Sequence, residues 1–432
     1  MTKRLLLVLL LAATGLQAFC QTLDVLDIVG SDRRLMSGCE GPYRFDAPAL
    51  TPAPKGYKPF YISHYGRHGS RYAWTSDAYT VVRDVLVDAR RAGALNERGL
   101  RLLEDMREFV RTPLTNTGDL VELGAQQHTE IARQMAASFP DVFAKGGKVL
   151  ARSSTSQRAI VSMGAFCVSL QKQAPKLDIE INSLHTNMPV LNATSAPASV
   201  RERRSGRVRI PEPTAAFRAR KYDYDGLLDQ IFTDRSFLEE RGGRTQFLYQ
   251  LASIWGGYHN YFEEDWLEDL VTKEQALALW EVNNYIEYVD HSGNRYQQIP
   301  LLMDIVSLAD EAIAGGPYKA HLRFGHDTVF NGLCPLLNIN GSGYEPATAD
   351  EVKYWFQDYD TPMAANLQFV LYRSKKDSRI LFKLLRNGWE VSLPQLTPVS
   401  GPYYDWAEFR AWAQQLDSEH PVVREQQRPA AR

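Results

Sequence analysis

The chain has 432 residues, of which 44% are hydrophobic and 23% are charged. It is longer than one hydrophobic core usually serves, so we expect one main domain and a smaller inserted one. The formal net charge of -2 argues against nucleic acid as a general partner. After the N-terminal segment, no stretch approaches the ~20 consecutive apolar residues of a transmembrane helix, so we expect no stable membrane insertion.

Residues 1–20 have the layout of a secretory signal peptide. Lys3 and Arg4 precede the apolar run Leu5–Ala13, and a mostly small or polar stretch follows to Cys20. Cleavage after residue 20 predicts an exported chain, periplasmic or secreted, with a net charge of about -4 once two of its positive charges are removed from the -2 of the whole sequence. Lipoprotein anchoring at Cys20 is the alternative, but the bulky Phe19 does not suit it.

The cysteines do not predict a metal centre. The sequence has four, Cys20, Cys39, Cys167 and Cys334, and the first leaves with the signal peptide. At most one internal disulfide can then form. Cys167 and Cys334 lie in apolar, helical-looking surroundings, where a cysteine is usually a small buried hydrophobe. Since no CxxC pair or compact Cys/His cluster exists, we expect neither structural zinc nor a cofactor.

The predicted elements alternate between strands and helices, which is typical of an α/β protein. In chain order they are a strand over Tyr57–Ser63, helices over Leu95–Val110 and Asp119–Ala137, a strand over Lys148–Arg152, a helix capped by Ser153–Thr155 that runs to Lys172, a strand over Ala320–Phe324, a helix over Thr328–Leu337, and a hairpin of strands over Asn366–Tyr372 and Arg379–Leu385. We expect a central, mostly parallel sheet flanked by helices.

The strand signal fades between Ser183 and Gln298, where helical, aromatic-rich segments take over. This stretch predicts an inserted, mostly helical cap subdomain over residues 183–298. The α/β core then comprises residues 21–182 and 299–418. Residues 419–432 are polar, and we expect them to form a disordered tail.

Unusual polar residues stand at three predicted strand-to-helix junctions. They are Arg67, His68 and Arg71 at the first junction, Arg152 at the second, and His326 and Asp327 at the third. In an open α/β sheet, the loops at the carboxyl ends of neighbouring strands converge on one crevice. We therefore expect these side chains to meet in a single site.

This set of residues suits phosphoryl transfer without a metal ion. Arginine presents a planar fork of donors that matches phosphate oxygens, which suits Arg67, Arg71 and Arg152. His68 would attack phosphorus as a neutral imidazole, because nearby positive charge lowers its pKa, and a phosphohistidine would form. Asp327 would give a proton to the leaving alkoxide. His326 would be a further phosphate ligand.

Each motif also has a structural interpretation. An isolated Arg-His-Gly triplet occurs by chance in roughly a few percent of chains of this length, and a His-Asp pair after glycine is more often a helix cap. Reading His64 and His68 as metal ligands would need a helix, which Gly66 and Gly69 disfavour. The default role of the other histidines is structural, and they are His64, His128, His185, His259, His291 and His321.

The ordered set of motifs resembles the histidine phosphatase superfamily, in its acid phosphatase and phytase branch. The resemblance implies an α/β core with a helical cap, His68 as the phosphorylated nucleophile and Asp327 as the proton donor. It also implies that Arg67, Arg71, Arg152 and His326 bind phosphate. Tyr72-Ala73 replaces the proline-containing run of many acid phosphatases and is more similar to the multiple inositol polyphosphate phosphatases. However, His326-Asp327-Thr328 stands where the animal-type enzymes have His-Ala-Glu.

One basic segment bears on the substrate. It contains Arg201, Arg203, Arg204, Arg207, Arg209, Arg218, Arg220 and Lys221 against only Glu202 and Glu212. It is either a solvated surface stretch or a cleft wall that would hold a polyanion. We therefore expect a small phosphate ester as the partner, with inositol polyphosphates preferred. The alternatives are a broad-specificity acid phosphatase or phosphotransferase, and a non-catalytic protein that binds phosphate ligands.

Overall fold

A computed structural model describes residues 24–110, 115–192, 196, 202–261 and 270–423. The predicted signal peptide and residues 424–432 of the predicted tail lie outside the described residues, as does Arg201 of the basic segment. The proposed cleavage and the end of the tail therefore stay predictions.

Nine strands of the described residues form one sheet. They are β1 Tyr57–Arg67, β2 Gly147–Ser153, β3 Leu177–Asn182, β4 Tyr318–Gly325, β5 Asn366–Ser374, β6 Leu381–Arg386, β7 Trp389–Glu390, β8 Pro398–Ser400 and β9 Tyr403–Asp405. The order is β3-β2-β4-β1-β5-β6-β9-β8, with β7 beside β6. Strands β3, β2, β4 and β1 run parallel, and antiparallel strands continue the sheet beyond β1.

The helices surround this sheet and extend away from it. Those of eight or more residues are α1 Asp77–Ala92, α2 Glu97–Phe109, α3 Glu122–Ser138, α4 Gln157–Gln173, α5 Thr214–Lys221, α6 Arg244–Gly257, α7 Lys273–Asp290, α8 Ile299–Ile313, α9 Asp327–Leu336 and α10 Trp406–Glu419. The shorter ones are Val25–Ser31, Arg33–Met36, Pro140–Phe143, Met188–Leu191, Tyr224–Asp229, Ser236–Arg241 and Val352–Trp355. Single 3-10 turns are Gly38–Glu40, His185–Asn187, Tyr258–Asn260, Ile339–Gly341, Ala349–Glu351 and Asp358–Asp360, and a longer 3-10 stretch covers Ser292–Gln298.

Helices cover both faces of β1, so this strand is buried continuously from Tyr61 to Arg67 instead of alternating. Tyr61 and Tyr65 pack with α8, α9 and α10 on one face. Ile62 packs with α3 and α4 on the other. The predicted α/β class, with helices flanking a central sheet, is confirmed.

A third apolar cluster contains helices that precede β2 in the sequence and helices that follow it. It contains α1 and α2 residues such as Val82 and Leu103, together with Phe217, Trp255 and Trp280 from α5, α6 and α7. Among the described residues between β3 and α8, the regular elements are all helical, as the sequence predicts. The boundaries 183–298 stay a prediction, and the cluster shows that α1 and α2 pack with this region.

The structure corrects two local predictions. The helix after β2 begins at Gln157 and has no side-chain cap, so Ser153–Thr155 does not cap it. Helix α10 ends at Glu419, and the following residues pair with the chain near Arg204 instead of starting a disordered tail. Both differences come from contacts between residues far apart in the sequence.

His64 lies within β1 and is buried, so it does not share a helix with His68. Its ring packs 5.2 Å from the ring of Phe166 and 5.3 Å from that of Phe324. Burial lowers the pKa of His64 to about 3, with His128 and Arg323 adding to the effect. The structural interpretation of this histidine, predicted at a strand end, fits its position in the core.

Candidate active site

The site forms where β1 ends between its two neighbouring strands. The main-chain N–H of His68 donates to the carbonyl of Gly325 at the end of β4, at 3.0 Å. Its carbonyl accepts from the N–H of Ala364, just before β5, at 2.9 Å. Because β1 and β4 are parallel, His326 and Asp327 emerge at the same sheet edge as His68. The first and third predicted junctions therefore meet.

The loop after His68 is fixed by its packing on helix α3. A side chain on Gly69 would collide with the backbone of Gly124, and a side chain on Gly124 with that of Ser70. Two glycines therefore allow the close approach. Ser70 N–H donates to Gln127 Oε1 at 2.9 Å, and Gly69 N–H donates to Ser162 Oγ at 3.0 Å. Rigid elements hold the loop that carries the histidine.

The imidazole of His68 is buried and has a defined tautomer. Nδ1 lies 2.9 Å from the carbonyl of Gly69, which can only accept, so Nδ1 carries the hydrogen and Nε2 keeps its lone pair. Burial, followed by the charges of Arg67, Arg158 and Arg71, holds the pKa of His68 well below its ordinary value. A buried neutral imidazole with a lone pair on Nε2 is the form that a nucleophile requires.

Asp327, the first residue of α9, lies against Arg67. Its Oδ2 is 2.5 Å from Arg67 Nη2, and its Oδ1 accepts from the N–H of Thr328 at 2.7 Å. Burial alone would raise the pKa of Asp327, but the charges of Arg67 and Arg71 hold it well below its usual range. The other terminal nitrogen of Arg67 donates to the carbonyls of Cys39 and Thr361.

His326 and Arg71 complete the predicted set on either side of His68. The ring centroids of His326 and His68 are 5.5 Å apart. His326 Nε2 lies 2.8 Å from Ser154 Oγ, and burial, with the charge of Arg158, lowers the pKa of His326 to about 4. Arg71 Nη2 donates to Glu40 Oε1 at 3.0 Å. The structure thus brings together five of the six predicted residues.

The sixth, Arg152, lies elsewhere, and the prediction for it is corrected. Its Nη2 is 2.6 Å from Asp304 Oδ2 on α8, and Arg323 pairs with the same oxygen at 2.7 Å. Arg152 and Arg323 are register partners on β2 and β4, so both project from the sheet face that α8 covers. Alternation along β2 thus directs this guanidinium away from His68 and towards α8.

Two charged residues of the site were missed in the sequence. Arg158, in the first turn of α4, is partly buried, and its charge lowers the pKa of both His68 and His326. Burial, with the charge of Arg71, lowers the pKa of Arg158 itself to about 10. A sequence prediction that began this helix at Gln157 would have placed Arg158 in its first turn, at the edge of the sheet. Glu40 lies in a 3-10 turn before β1, and no sequence signal marks it.

A cavity of about 470 Å³ has Thr328, the neighbour of Asp327, in its lining, but none of the five residues that meet at the sheet edge lines it. Its lining includes His291, Gln297, Gln298 and three basic-segment residues, Arg203, Arg204 and Arg207, together with the acidic Glu202 and Asp290. Further along this segment, Arg220 pairs with Glu212 and Asp350, and Lys221 pairs with Glu281 and Asp350. Only the first part of the basic segment therefore faces the cavity, while its end forms ion pairs.

Three further features of the described residues concern metal binding, membranes and thiols. In the part of the chain that the structure describes, no group of three or more His, Cys, Asp or Glu side chains is arranged to hold a metal ion. Across the same residues, no helix has both the length and the apolar character needed to cross a bilayer. Cys39, Cys167 and Cys334 are buried free thiols.

Comparison with known proteins shows what fold this is. No family model matches the chain, and no curated protein matches its sequence. The multiple inositol polyphosphate phosphatase of Bifidobacterium longum, solved with inositol hexasulfate, superposes with a TM-score of 0.66 at 20% identity, covering 90% of this chain and 98% of that one. The chain therefore shares the fold of this phosphatase.

Phytases share the same fold. The phytase from D. castellii has a TM-score of 0.64 at 16% identity, covering 89% of this chain and 85% of that one. The Hafnia alvei phytase in complex with tartrate has a TM-score of 0.55 at 13% identity, covering 84% and 98%. The predicted resemblance to the acid phosphatase and phytase branch is confirmed at the level of the fold.

Replacing each of two arginines by alanine separates their roles. If His68 reacts with a phosphate ester, Arg158→Ala is expected to lower kcat/KM for p-nitrophenyl phosphate about 10²- to 10³-fold, because it removes a positive charge beside His68 and His326. Arg152→Ala is the matched control, expected to lower the melting temperature but to keep kcat/KM within about threefold. Steady-state kinetics and thermal unfolding measure both effects. A large loss of kcat/KM from Arg152→Ala but not from Arg158→Ala would support the sequence prediction that Arg152 binds phosphate.

Proposed function

We propose that this chain is a histidine acid phosphatase that hydrolyses phosphomonoesters through a phosphohistidine. One observation carries the proposal: the lone pair of a buried, neutral His68 lies among Arg67, Arg71 and Arg158, with the Asp327 carboxyl beside them. Cationic guanidinium groups can bind a phosphate and stabilise charge on its equatorial oxygens. The nucleophile and the proton donor then act on opposite sides of phosphorus.

In the first step, His68 Nε2 attacks phosphorus as the bond to the ester oxygen breaks. The leaving alkoxide is a strong base and takes the proton of Asp327. The pKa of this carboxyl is low beside Arg67, so the proton must be stabilised in the substrate complex. A bound phosphate dianion does this, because its charge competes for Arg67 and raises the pKa of a neighbouring carboxyl.

In the second step, water attacks the phosphohistidine. The Asp327 carboxylate accepts a proton from this water, the bond between nitrogen and phosphorus breaks, and inorganic phosphate leaves. His68 returns to its neutral form. Its Nδ1–H stays directed at the Gly69 carbonyl, which keeps Nε2 aimed at phosphorus for the next cycle.

Inositol polyphosphates are the substrates that we propose. The cavity beside Thr328 is large enough for phosphate groups beyond the one being cleaved, and Arg203 and Arg207 line it. Two nitrogens of Arg207 donate to the neutral Asn294 Oδ1, at 3.1 and 2.9 Å, so this partner does not neutralise its charge. The phosphatase of B. longum, with the same fold, was solved with inositol hexasulfate.

Two other functions remain as alternatives. A broad-specificity acid phosphatase or phosphotransferase would use the same cluster but would not need the cavity. A non-catalytic protein that binds phosphate ligands would need the arginines alone, and the placement of His68 and Asp327 argues against it.

Phosphate release from inositol hexakisphosphate and from glycerol 2-phosphate tests the proposal. We expect kcat/KM to be at least about tenfold higher for the inositol ester, because the cavity adds contacts to its other phosphates. A chelator is expected to leave both rates unchanged, because arginines supply the positive charge. Equal rates would favour the broad-specificity enzyme, and no phosphate release from either ester would favour the binding protein.

Export is also part of the proposal, because residues 1–20 have the composition of a signal peptide. N-terminal sequencing of the mature protein should begin at Gln21. A diacylglyceryl group on Cys20 would instead show that the chain is anchored as a lipoprotein.

A further inference from the structure

The C-terminal strap, which we define as His420–Val423, lies antiparallel to the basic segment. Val422 forms an isolated antiparallel bridge with Arg204. The N–H of Val423 donates to the carbonyl of Arg203 at 2.7 Å, and the N–H of Ser205 donates to that of Pro421 at 3.0 Å. The end of the described chain is thereby joined to residues that line the cavity.

The His420 side chain fixes the strap in place. Its ring stacks on Tyr296 with a centroid distance of 3.6 Å and an interplanar angle of 18°. Nδ1 lies 3.0 Å from the carbonyl of Ser205. The next residue, Gly206, has a φ of +87°, and a Cβ there would lie 2.8 Å from His420 Nδ1. The backbone conformation and the close contact with His420 both favour glycine at this position.

Arg204 ties the same stretch to two further elements. Its Nη1 pairs with Asp417 of α10 at 2.5 Å, and its Nη2 pairs with Glu202 at 3.0 Å. Its main-chain N–H and C=O bond to the side chain of Gln297 at 3.0 and 3.1 Å. Arg204 therefore has a structural role, because its contacts fix the main chain that carries Arg203 and Ser205.

The segment that the strap and Arg204 hold in place lines the same cavity as Thr328, the residue after Asp327. Val423 of the strap and Arg203 and Arg207 of the basic segment line the cavity that Thr328 also lines. Arg204 is already ion-paired with Glu202 and Asp417, so the charges of this lining outside that network are those of Arg203, Arg207 and Asp290. The strap thus fixes the main chain of the segment from which Arg203 and Arg207 line the cavity.

We propose that the C-terminal strap is a specificity element. It positions Arg203 and Arg207 so that they bind a phosphate group of a polyphosphorylated substrate other than the group that is cleaved. His420 is a positioning residue in this device, because it acts through the main chain of Ser205. This inference rests on the proposed phosphatase function.

Two truncated chains test the proposed role of the C-terminal strap. Ending the chain after Glu419 removes the strap, and ending it after Val423 is the matched control that keeps it. The first is expected to raise KM for inositol hexakisphosphate about tenfold while kcat and KM for p-nitrophenyl phosphate stay within about twofold. The control should match the full chain on both substrates. An unchanged KM for inositol hexakisphosphate after loss of the strap would overturn the proposal.

Point variants keep the test decisive if the shorter chain does not fold. His420→Ala removes both the stacking on Tyr296 and the bond to Ser205, and is expected to raise the same KM about three- to tenfold. His420→Phe keeps the stacking and should recover part of the loss. If both variants keep the KM of the full chain, the strap has no role in substrate specificity.

The test also separates this inference from the proposed function. Inositol hexakisphosphate is added as an inhibitor of p-nitrophenyl phosphate hydrolysis, which reports binding even where the inositol ester is not cleaved. A higher inhibition constant for His420→Ala supports the role of the strap even when another polyphosphate is the preferred substrate. An inhibition constant equal to that of the full chain overturns the strap alone.

Discussion

His68→Ala is expected to abolish phosphate release, with kcat falling about 10⁴-fold or more. The proposed mechanism forms a bond between Nε2 and phosphorus, and alanine has no atom that can replace this nitrogen. No phosphoenzyme should form, so the burst of nitrophenolate in rapid mixing with p-nitrophenyl phosphate should disappear. A denaturing quench at alkaline pH, where phosphohistidine survives, measures the intermediate directly.

Inorganic phosphate binding provides the control for His68→Ala. Because Arg67, Arg71 and Arg158 remain, the variant should bind inorganic phosphate with a Kd within about threefold of that of the full enzyme. Unchanged circular dichroism would show that the fold is intact. If a folded variant kept more than about a tenth of the normal turnover, another group would be the nucleophile.

Asp327→Asn is expected to affect alkyl esters far more than aryl esters. An alkoxide leaves only with a proton, so kcat/KM for glycerol 2-phosphate should fall about 10²- to 10⁴-fold. Nitrophenolate is a weak base that leaves without one, so the loss for p-nitrophenyl phosphate should stay below about tenfold. We choose kcat/KM because it reports the steps through departure of the leaving group and excludes hydrolysis of the phosphohistidine.

The same variant should slow the second step. Without a carboxylate to accept the proton of water, the phosphohistidine should accumulate during turnover of p-nitrophenyl phosphate. Asp327→Glu is the conservative comparison, because it keeps the carboxyl and lengthens the side chain. Equal losses of kcat/KM on the two esters would remove the proton-donor role from Asp327 and leave it only an ion pair with Arg67.

Much of the site could be predicted because its parts are local in sequence. Arg67, His68 and Arg71 lie within five residues, directly after a β-rich run, and His326 and Asp327 directly follow another. Parallel strands release such residues at one edge of the sheet. The alternation of strands and helices was therefore enough to bring these two junctions together.

Arg152 and Arg158 show where local patterns fail. Arg152 lies near the end of β2 and Arg158 in the first turn of the helix that follows. The choice between them depends on where β2 ends, where α4 begins and which face each side chain takes. A shift of a few residues in a helix start decides this, and such boundaries are weakly encoded by propensity. Asp304, on a helix about 150 positions away in the sequence, draws Arg152 to the other face.

The sequence by itself determined the class of fold and the two motifs, Arg67-His68 with Arg71 and His326-Asp327, that meet at one sheet edge, because periodicity and adjacent residues carry that information. Only the tertiary structure decided that Arg158, and not Arg152, lies near His68, that Glu40 faces Arg71, and that the C-terminal strap joins the residues that line the cavity. Each of these depends on packing between elements far apart in the chain. Such contacts form only when buried surface and paired charges offset the entropy of closing the long loops between them.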